Sequence, residues 1–439
     1  MVREGYKQTE VGVIPEDWDV CCLDLVAKLS SGTTPSRSQE DRYYRNGKYH
    51  WVKTTDLNNS RITATEEKVT QEALDETCLQ VYPPGTVFVA MYGGFNQIGR
   101  TGLLEISAAV NQALIAIQPK ANKLNSAYLL ATLNYRVEHW KSVASSSRKD
   151  PNITSQDVKY FTLPLPEIEE QSAIAATLSD VDALIASLDK LIAKQRHLKT
   201  ATMQQLLTGK KRLPGFGGGK GYKQTEVGVI PEDWELYSLG EITEYIKGFA
   251  FKASDFQTHG VRVIRVSDTT FDLIKDDNEI FIDEKKAPFF RKWSMREGDL
   301  IISTVGSKPP MYDSMVGKAT FVDVKNRNSL LNQNAVIIRS KNWSREAQIF
   351  LHNHLKQPRY IDHIEKIFRG NANQASITLK DLFEFLIPMP KDSEEQRAIA
   401  TVLSDMDAAI SALETRRAKT QAIKQGMMQE LLTGRTRLV

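Results

Sequence analysis

Cysteine, long apolar runs and charge of one sign are all scarce in this chain, and each scarcity excludes something. Only three cysteines occur among 439 residues, at Cys21, Cys22 and Cys78. An odd count with two of them adjacent makes a poor disulfide framework and predicts reduced thiols in a cytoplasmic protein. No apolar run nears the ~18 residues of a membrane span, so no membrane partner is expected. The opening MVREGYKQTE lacks the apolar core of a signal peptide. Against 57 Lys and Arg stand 54 Asp and Glu, a net charge of +3. A total so balanced means that any basic face must be local. With 41% hydrophobic and 25% charged residues the chain is ordinary globular material, enough for two to four domains and not for wholesale disorder.

Signatures of chemistry are missing too. No phosphate-binding Gly-x-x-x-x-Gly-Lys-Ser/Thr occurs, and Gly215–Gly221 has the wrong spacing for one. There is no Gly-x-Gly-x-x-Gly after a strand, no paired Cys-x-x-Cys and no His-Glu-x-x-His, so no metal site is expected. The Pro-Pro pairs at 83–84 and 309–310 follow Tyr82 and Lys308, where an adenine-methylating site of the Asn/Asp-Pro-Pro-aromatic kind needs an amide or carboxylate. One nuclease-like echo exists. Asp56 precedes Glu66-Glu67-Lys68, and Asp268 precedes Asp283-Glu284-Lys285-Lys286. Such acidic sets can hold Mg²⁺ for phosphodiester cleavage. Acids and lysines are abundant enough here for chance to supply the pattern. The expectation is a chain that is not an enzyme and binds no cofactor.

What is present is repetition. Residues 5–18, GYKQTEVGVIPEDW, recur unchanged at 221–234. EEQSAIAATLSDVD at 169–182 returns as EEQRAIATVLSDMD at 394–407, and MQQLLTGKKRL at 203–213 as MQELLTGRTRL at 428–438. Weaker echoes are ITSQDVKYFTLPLP at 153–166 with ITLKDLFEFLIPMP at 377–390, Asn111-Gln112 with Asn332-Gln333, and WVKTTD at 51–56 with VIRVSD at 263–268. The chain is a tandem duplication with like ends and unlike centres, and its period is far too long for a solenoid. It divides into an α+β domain over 1–166, a long helix over 167–210, a Gly-rich flexible joint over 211–220, a second α+β domain over 221–390 and a second long helix over 391–435.

The helical stretches lack internal proline and favour Ala, Leu, Glu, Gln and Lys. Ile174, Leu178, Val181, Ile185, Leu188 and Ile192 alternate four and three apart, as do Ile399, Leu403, Met406, Ile410 and Leu413. That period is the seam of paired helices. Gly209 and Gly434 follow as C-terminal stops, and Ser393 with Gln396 fits a capping box. Leu184, Leu191, Leu198, Val402 and Ile423 lie off the seam. They pack on their own domains or are offered to partner helices.

The centres hold β-rich runs such as 85–90, 113–117, 298–303 and 335–338, with helical pieces at 125–143 and 344–367. Their loops interleave cations, aromatics and amides. The first centre offers Arg37, then Arg42, Tyr43, Arg45 and Lys48, then Tyr92, Asn96, Gln97 and Arg100, then Arg148 and Lys149. The second offers Lys308, Tyr312 and Lys318, then Arg369, Asn371, Asn373 and Gln374. Arg and Lys bond guanine edges or phosphates, and Asn and Gln bond adenine, so these are the candidate DNA contacts. The ordinary alternative is turn residues and a solvated face.

Taken in order, the motifs resemble the specificity subunit of type I restriction–modification systems. The carriers are Glu-x-Gly-x-Ile-Pro-x-x-Trp at Glu10–Trp18 and Glu226–Trp234, Ser-Gly-Thr-Thr-Pro-Ser at 31–36, Asn-Gln at 111–112 and 332–333, and Pro-x-Pro-x-x-x-Glu-Gln at 164–171 and, one residue longer, at 388–396. The resemblance covers essentially the whole chain, twice. It fails at Lys247–Lys252, which reads Lys-Gly-Phe-Ala-Phe-Lys. It implies two globular target recognition domains separated by two long antiparallel helices forming a coiled coil, with a pseudo-twofold internal repeat. Each domain would read one half of a split double-stranded DNA target, and unlike readers make that target asymmetric. The helices would dock two modification subunits that methylate adenine, and restriction subunits would join. S-adenosylmethionine, ATP and Mg²⁺ would sit on those partners. The competing class is a scaffold or anti-restriction protein that binds modification subunits without reading DNA.

Overall fold

The computed structural model describes every residue except 1–2, 95, 145–151, 220, 310, 372–373 and 439. The chain forms two compact units. One comprises Met1–Lys190 with Glu414–Val439, the other Leu191–Leu413.

The first unit opens with an antiparallel hairpin, Tyr6–Thr9 on Gly12–Pro15. Its domain is then tied shut where Asp19–Cys22 pairs antiparallel with Thr162–Leu165. In between lies a five-stranded sheet in the order Ala27–Ser31, Leu114–Pro119, Val87–Ala90, Thr101–Leu104, Ser60–Ile62. A four-stranded sheet follows the order Glu67–Val69, Tyr49–Val52, Ala108–Val110, Val81–Tyr82. The run Val87–Ala90 is apolar throughout because both faces are covered. Val87 and Val89 face a core with Trp18, Tyr128, Leu133, Trp140 and Phe161, while Phe88 and Ala90 face another with Val52, Leu57 and Leu104.

The second unit repeats this plan. Tyr222–Thr225 pairs with Gly228–Pro231, and Trp234–Ser238 with Leu386–Pro390. The main sheet runs Thr243–Lys247, Ala335–Ser340, Leu300–Ser303, Ala319–Phe321. The second runs Phe256–Gln257, Ile280–Ile282, Val261–Ile264, Leu330–Leu331. Among the described residues nothing matches the first unit's strand Ser60–Ile62. A three-stranded sheet of Val305–Gly306, Gln374–Ser376 and Arg369–Asn371 is new.

The two long helices are Ile168–Leu206 and Ser393–Leu431, 39 residues each. Each carries two glutamates in its first turn, where they oppose the positive end of the helix dipole. Each is followed by a left-handed glycine, Gly209 at φ 68° and Gly434 at φ 67°. These positions need glycine twice over. A Cβ on Gly209 would fall 2.5 Å from the Pro231 ring, and one on Gly434 would fall 2.5 Å from the Pro15 ring. The expected Ser393–Gln396 capping box is not formed. Asp392 accepts from the Glu394 N–H at 2.9 Å instead, and the Gln396 amide donates to the Pro390 carbonyl at 2.8 Å.

The helices run antiparallel. In the first unit Asp182 pairs with Lys424 at 2.6 Å, and Asp189, one heptad on, pairs with Arg417, one heptad back. In the second unit Lys199 pairs with Asp407 at 2.6 Å.

Candidate nucleic-acid interface

The repeated motifs meet in one knot per unit. In the first, the buried Trp18 donates its indole N–H to Glu170 at 3.0 Å. Arg437 forks onto both oxygens of Glu170 (2.6 and 2.8 Å) and both of Asp17 (2.9 and 2.8 Å). Its hydrogen bonds to Glu170 and Asp17 hold its pKa above the ordinary arginine value, and its bond to Asp17 holds that carboxyl below the usual range. In the second, Trp234 donates to Glu395 at 3.2 Å, while Arg212 forks onto Asp233 (2.9 and 3.1 Å) and onto Glu395. The glutamine of the same motif turns back on its own proline. Gln171 donates to the Pro166 carbonyl at 2.9 Å and Gln396 to that of Pro390 at 2.8 Å. Thus Ile-Pro-x-x-Trp and Pro-x-Pro-x-x-x-Glu-Gln are two halves of one joint between hairpin, domain and helix. Tyr6 completes it in the first unit by donating to the Gly434 carbonyl at 3.0 Å.

The Asp of WVKTTD and VIRVSD has a structural task. Asp56 accepts from the Lys53 N–H at 2.7 Å and the Glu66 N–H at 3.1 Å, and Asp268 accepts from the Arg265 N–H at 2.8 Å. Both fix the short turn after a core strand. Among the described residues no cluster of three His, Cys, Asp or Glu is arranged to hold a metal.

The frame presents the candidate DNA contacts unevenly. In the first unit Arg42, Arg45 and Lys48 line an open cleft of about 720 Å³ with Tyr49, Thr70 and Gln71. Arg42 is exposed but forked onto Glu76, which also accepts from the Tyr43 hydroxyl at 3.2 Å. Arg45 pairs with Asp41 at 2.8 Å. Lys48 is exposed with no carboxylate partner among the described residues. Arg37 pairs with Glu67 at 2.6 Å and lies 4.2 Å from the Tyr44 ring centre and 5.2 Å from that of Trp51. Tyr92 and Asn96 are exposed on a turn whose Gln97 N–H donates to the Gly94 carbonyl at 3.0 Å. Arg100 is half-buried and donates to the Asn96 carbonyl at 3.1 Å. Arg148 and Lys149 lie outside the described residues.

In the second unit two predicted loops come together. Val305–Gly306 and Arg369–Asn371 flank the shared strand Gln374–Ser376. Asn371 and Gln374 are exposed and directly opposed, and Arg369 is exposed with Asp381 at 3.1 Å. Asn373 lies outside the described residues. Lys308 is exposed, and Tyr312 begins the turn Tyr312–Ser314. Lys318 is a correction. It is 2% exposed, and its ammonium donates to the carbonyls of Val266 (3.2 Å), Thr269 (2.5 Å) and Asp313 (2.8 Å). Burial lowers its pKa to about 8. It pins the loop from inside and offers nothing to a ligand.

The seam residues divide by depth. Ile174 and Leu178 join the first unit's core beside Met428 and Leu431, and Ile399 and Leu403 join the second unit's core beside Met203 and Leu206. Leu188, Ile192 and Ile410 are buried, and Val181, Ile185, Met406 and Leu413 are half-buried. Off the seam, Leu184, Leu191, Leu198 and Ile423 stay 41, 39, 50 and 50% exposed.

A duplicated α+β frame with unlike loops and paired long helices defines the architecture of a DNA specificity protein. The chain belongs to the family described as type I restriction modification DNA specificity domain, whose sequence pattern matches residues 15–194 and 231–425. It is 25% identical over 445 residues to the type I restriction enzyme MjaVIII specificity subunit of Methanocaldococcus jannaschii, spanning 99% of this chain and 97% of that one. It is 26% identical to the putative MjaX specificity subunit of the same organism, over the same shares. The fold is similar to the crystal structure of a type I restriction–modification S subunit from M. genitalium, with TM-score 0.59, 15% identity and coverage of 94% and 96%. A chain from a structural study of complex assembly and conformational transition in the type I system matches with TM-score 0.53 and 18% identity, over 96% and 99%.

Proposed function

We propose that this specificity subunit reads an asymmetric, two-part duplex DNA target, one half-site per unit, and catalyses nothing itself. The observation that carries this is the pairing of one frame with two unlike loop sets. Both units have the same knot and the same order among the strands they share, while the loops differ in sequence and in sheet content. Phosphate contacts from exposed cations such as Lys48 and Lys308 supply affinity, and amides such as Asn96, Asn371 and Gln374 supply choice.

The helices act as a ruler and a dock. At 1.5 Å per residue each is about 60 Å long. Their length sets the unspecified gap between half-sites. The exposed leucines Leu184, Leu191 and Leu198 on the first helix are the apolar surface offered to two modification subunits. S-adenosylmethionine, ATP and Mg²⁺ belong to those subunits and to restriction subunits that join them.

The test is genomic. Deleting the gene should erase adenine methylation at one split motif, and exchanging residues 20–160 for another family member's should change one half of that motif alone. Methylation that survives deletion, or a swap that changes both halves, sinks the reading. A purified complex that binds modification subunits but no duplex would favour the scaffold class.

A further inference from the structure

The segment that departs from the family motif, Lys247–Lys252, keeps the frame and adds a platform. Gly248 does the framing: a Cβ there would fall 1.8 Å from the Asn332 carbonyl, as one on Gly32 would fall 2.2 Å from the Asn111 carbonyl. The rings that follow are new to this unit. Phe249 lies 5.1 Å from Phe290 and 4.4 Å from Trp293, and Phe251 lies 5.0 Å from Phe290, centre to centre. Together they carry the tight turn Ala287–Trp293. Lys286 ties that turn to Asp255 at 2.9 Å.

Phe289 stands on this platform with its own ring in solvent. It is 82% exposed, the most exposed large apolar side chain among the described residues. Lys285, Arg291 and Lys292 beside it are exposed, and none has a carboxylate partner among the described residues. A rigid turn that holds one bare ring among three uncommitted cations suits a polyanion with flat apolar steps inside it. An apolar protein surface would leave those cations uncompensated. The turn also follows strand Ile280–Ile282, the counterpart of Glu67–Val69. The helix Gln71–Glu76 after that strand supplies Gln71 and Glu72 to the cleft of Arg42, Arg45 and Lys48.

We propose that Phe289 is a wedge that presses between base pairs of the half-site read by the second unit, with Lys285, Arg291 and Lys292 on the flanking phosphates. This rests on the DNA-reading function proposed above. The experiment uses the full chain with its modification subunits and two labelled duplexes of equal length, one bearing the methylated motif and one of random sequence. Phe289→Ala should weaken binding to the motif duplex about tenfold and leave the salt dependence unchanged. Arg291→Gln with Lys292→Gln should weaken both duplexes and lower the slope of log K against log salt by about 1.8. 2-Aminopurine placed along the half-site should brighten at one step with the native chain and stay dim with Phe289→Ala. Phe289→Ala that binds and brightens like the native chain overturns the wedge and leaves DNA reading intact. A Phe289→Ala chain that loses modification subunits instead of DNA assigns the ring to a protein contact and overturns the wedge as well. A native chain that binds neither duplex removes both proposals. The ring is in solvent, so an unchanged melting temperature will confirm that the variant is folded.

Discussion

The two units close the same knot with arginines that reach it by opposite routes. Arg212 is 21 residues from Asp233, whereas Arg437 is 420 residues from Asp17. Arg212 is also the more enclosed, with 12% side-chain exposure against 33% for Arg437. One joint takes its arginine from beside its own aspartate and is shielded; the other takes it from the far end of the chain and is wetter. The frame thus specifies its geometry through contacts, and chain order is free to vary.

That contrast can be broken most strongly at the indoles. Trp18→Ala and Trp234→Ala should each cost about 4 kcal/mol, since each empties a fully buried site beneath the knot. Hydrogen exchange on the intact chain should lose protection in the altered unit. Equal loss in both units for either variant would show that the two knots are not independent. Next, Arg212→Ala should cost about 2 kcal/mol and Arg437→Ala about 1 kcal/mol, because the wetter pair is the better screened. Denaturant unfolding in low and high salt checks the order, and the reverse order would remove the shielding argument.

Acid should separate the units further. His354 is 1% exposed in the helix Arg345–His354, and burial lowers its pKa to about 3. The unfolded chain takes up that proton near pH 6.5, so it binds more protons than the folded chain between the two values. Stability therefore falls as pH falls through that window, by about 1 kcal/mol from pH 7 to pH 5.5. The first unit's His50 and His139 are only half-buried and should contribute less. Thermal melts of the native chain and of His354→Leu at the two pH values test this. An equal acid shift in both chains would place its origin elsewhere. The smallest effect should come from reconnection. A circular permutant opened at Gly217, with residues 3 and 438 joined by a short linker, should fold and assemble as the native chain does, because Tyr6 already meets Gly434.

Most of the frame was legible in the sequence, and the reason is physical. Repeated motifs such as Glu170-Gln171 and Trp18 are short because each residue has fixed partners in the knot, as Glu170 holds both Trp18 and Arg437, and such residues recur unchanged. The long helices announced themselves by period and by their stops, though Asp392 rather than Ser393 caps the second. The surface was less readable. Lys318 looks like any loop cation in sequence, and only the fold reveals three carbonyls around its ammonium. Phe289 escaped notice because it is one phenylalanine of a pair, and the sequence does not tell which ring is buried. Phe-Phe between Lys-Lys and Arg-Lys was the available signal.

The long route taken by Arg437 has a consequence for synthesis. The unit begun first needs residues 414–438, which leave the ribosome only after every residue of the other unit. The later-started unit can therefore mature while its elder waits with Glu170 uncompensated and Trp18 uncapped. A fragment ending at residue 413 should hold one protease-resistant body and one open one, a natural client for chaperones.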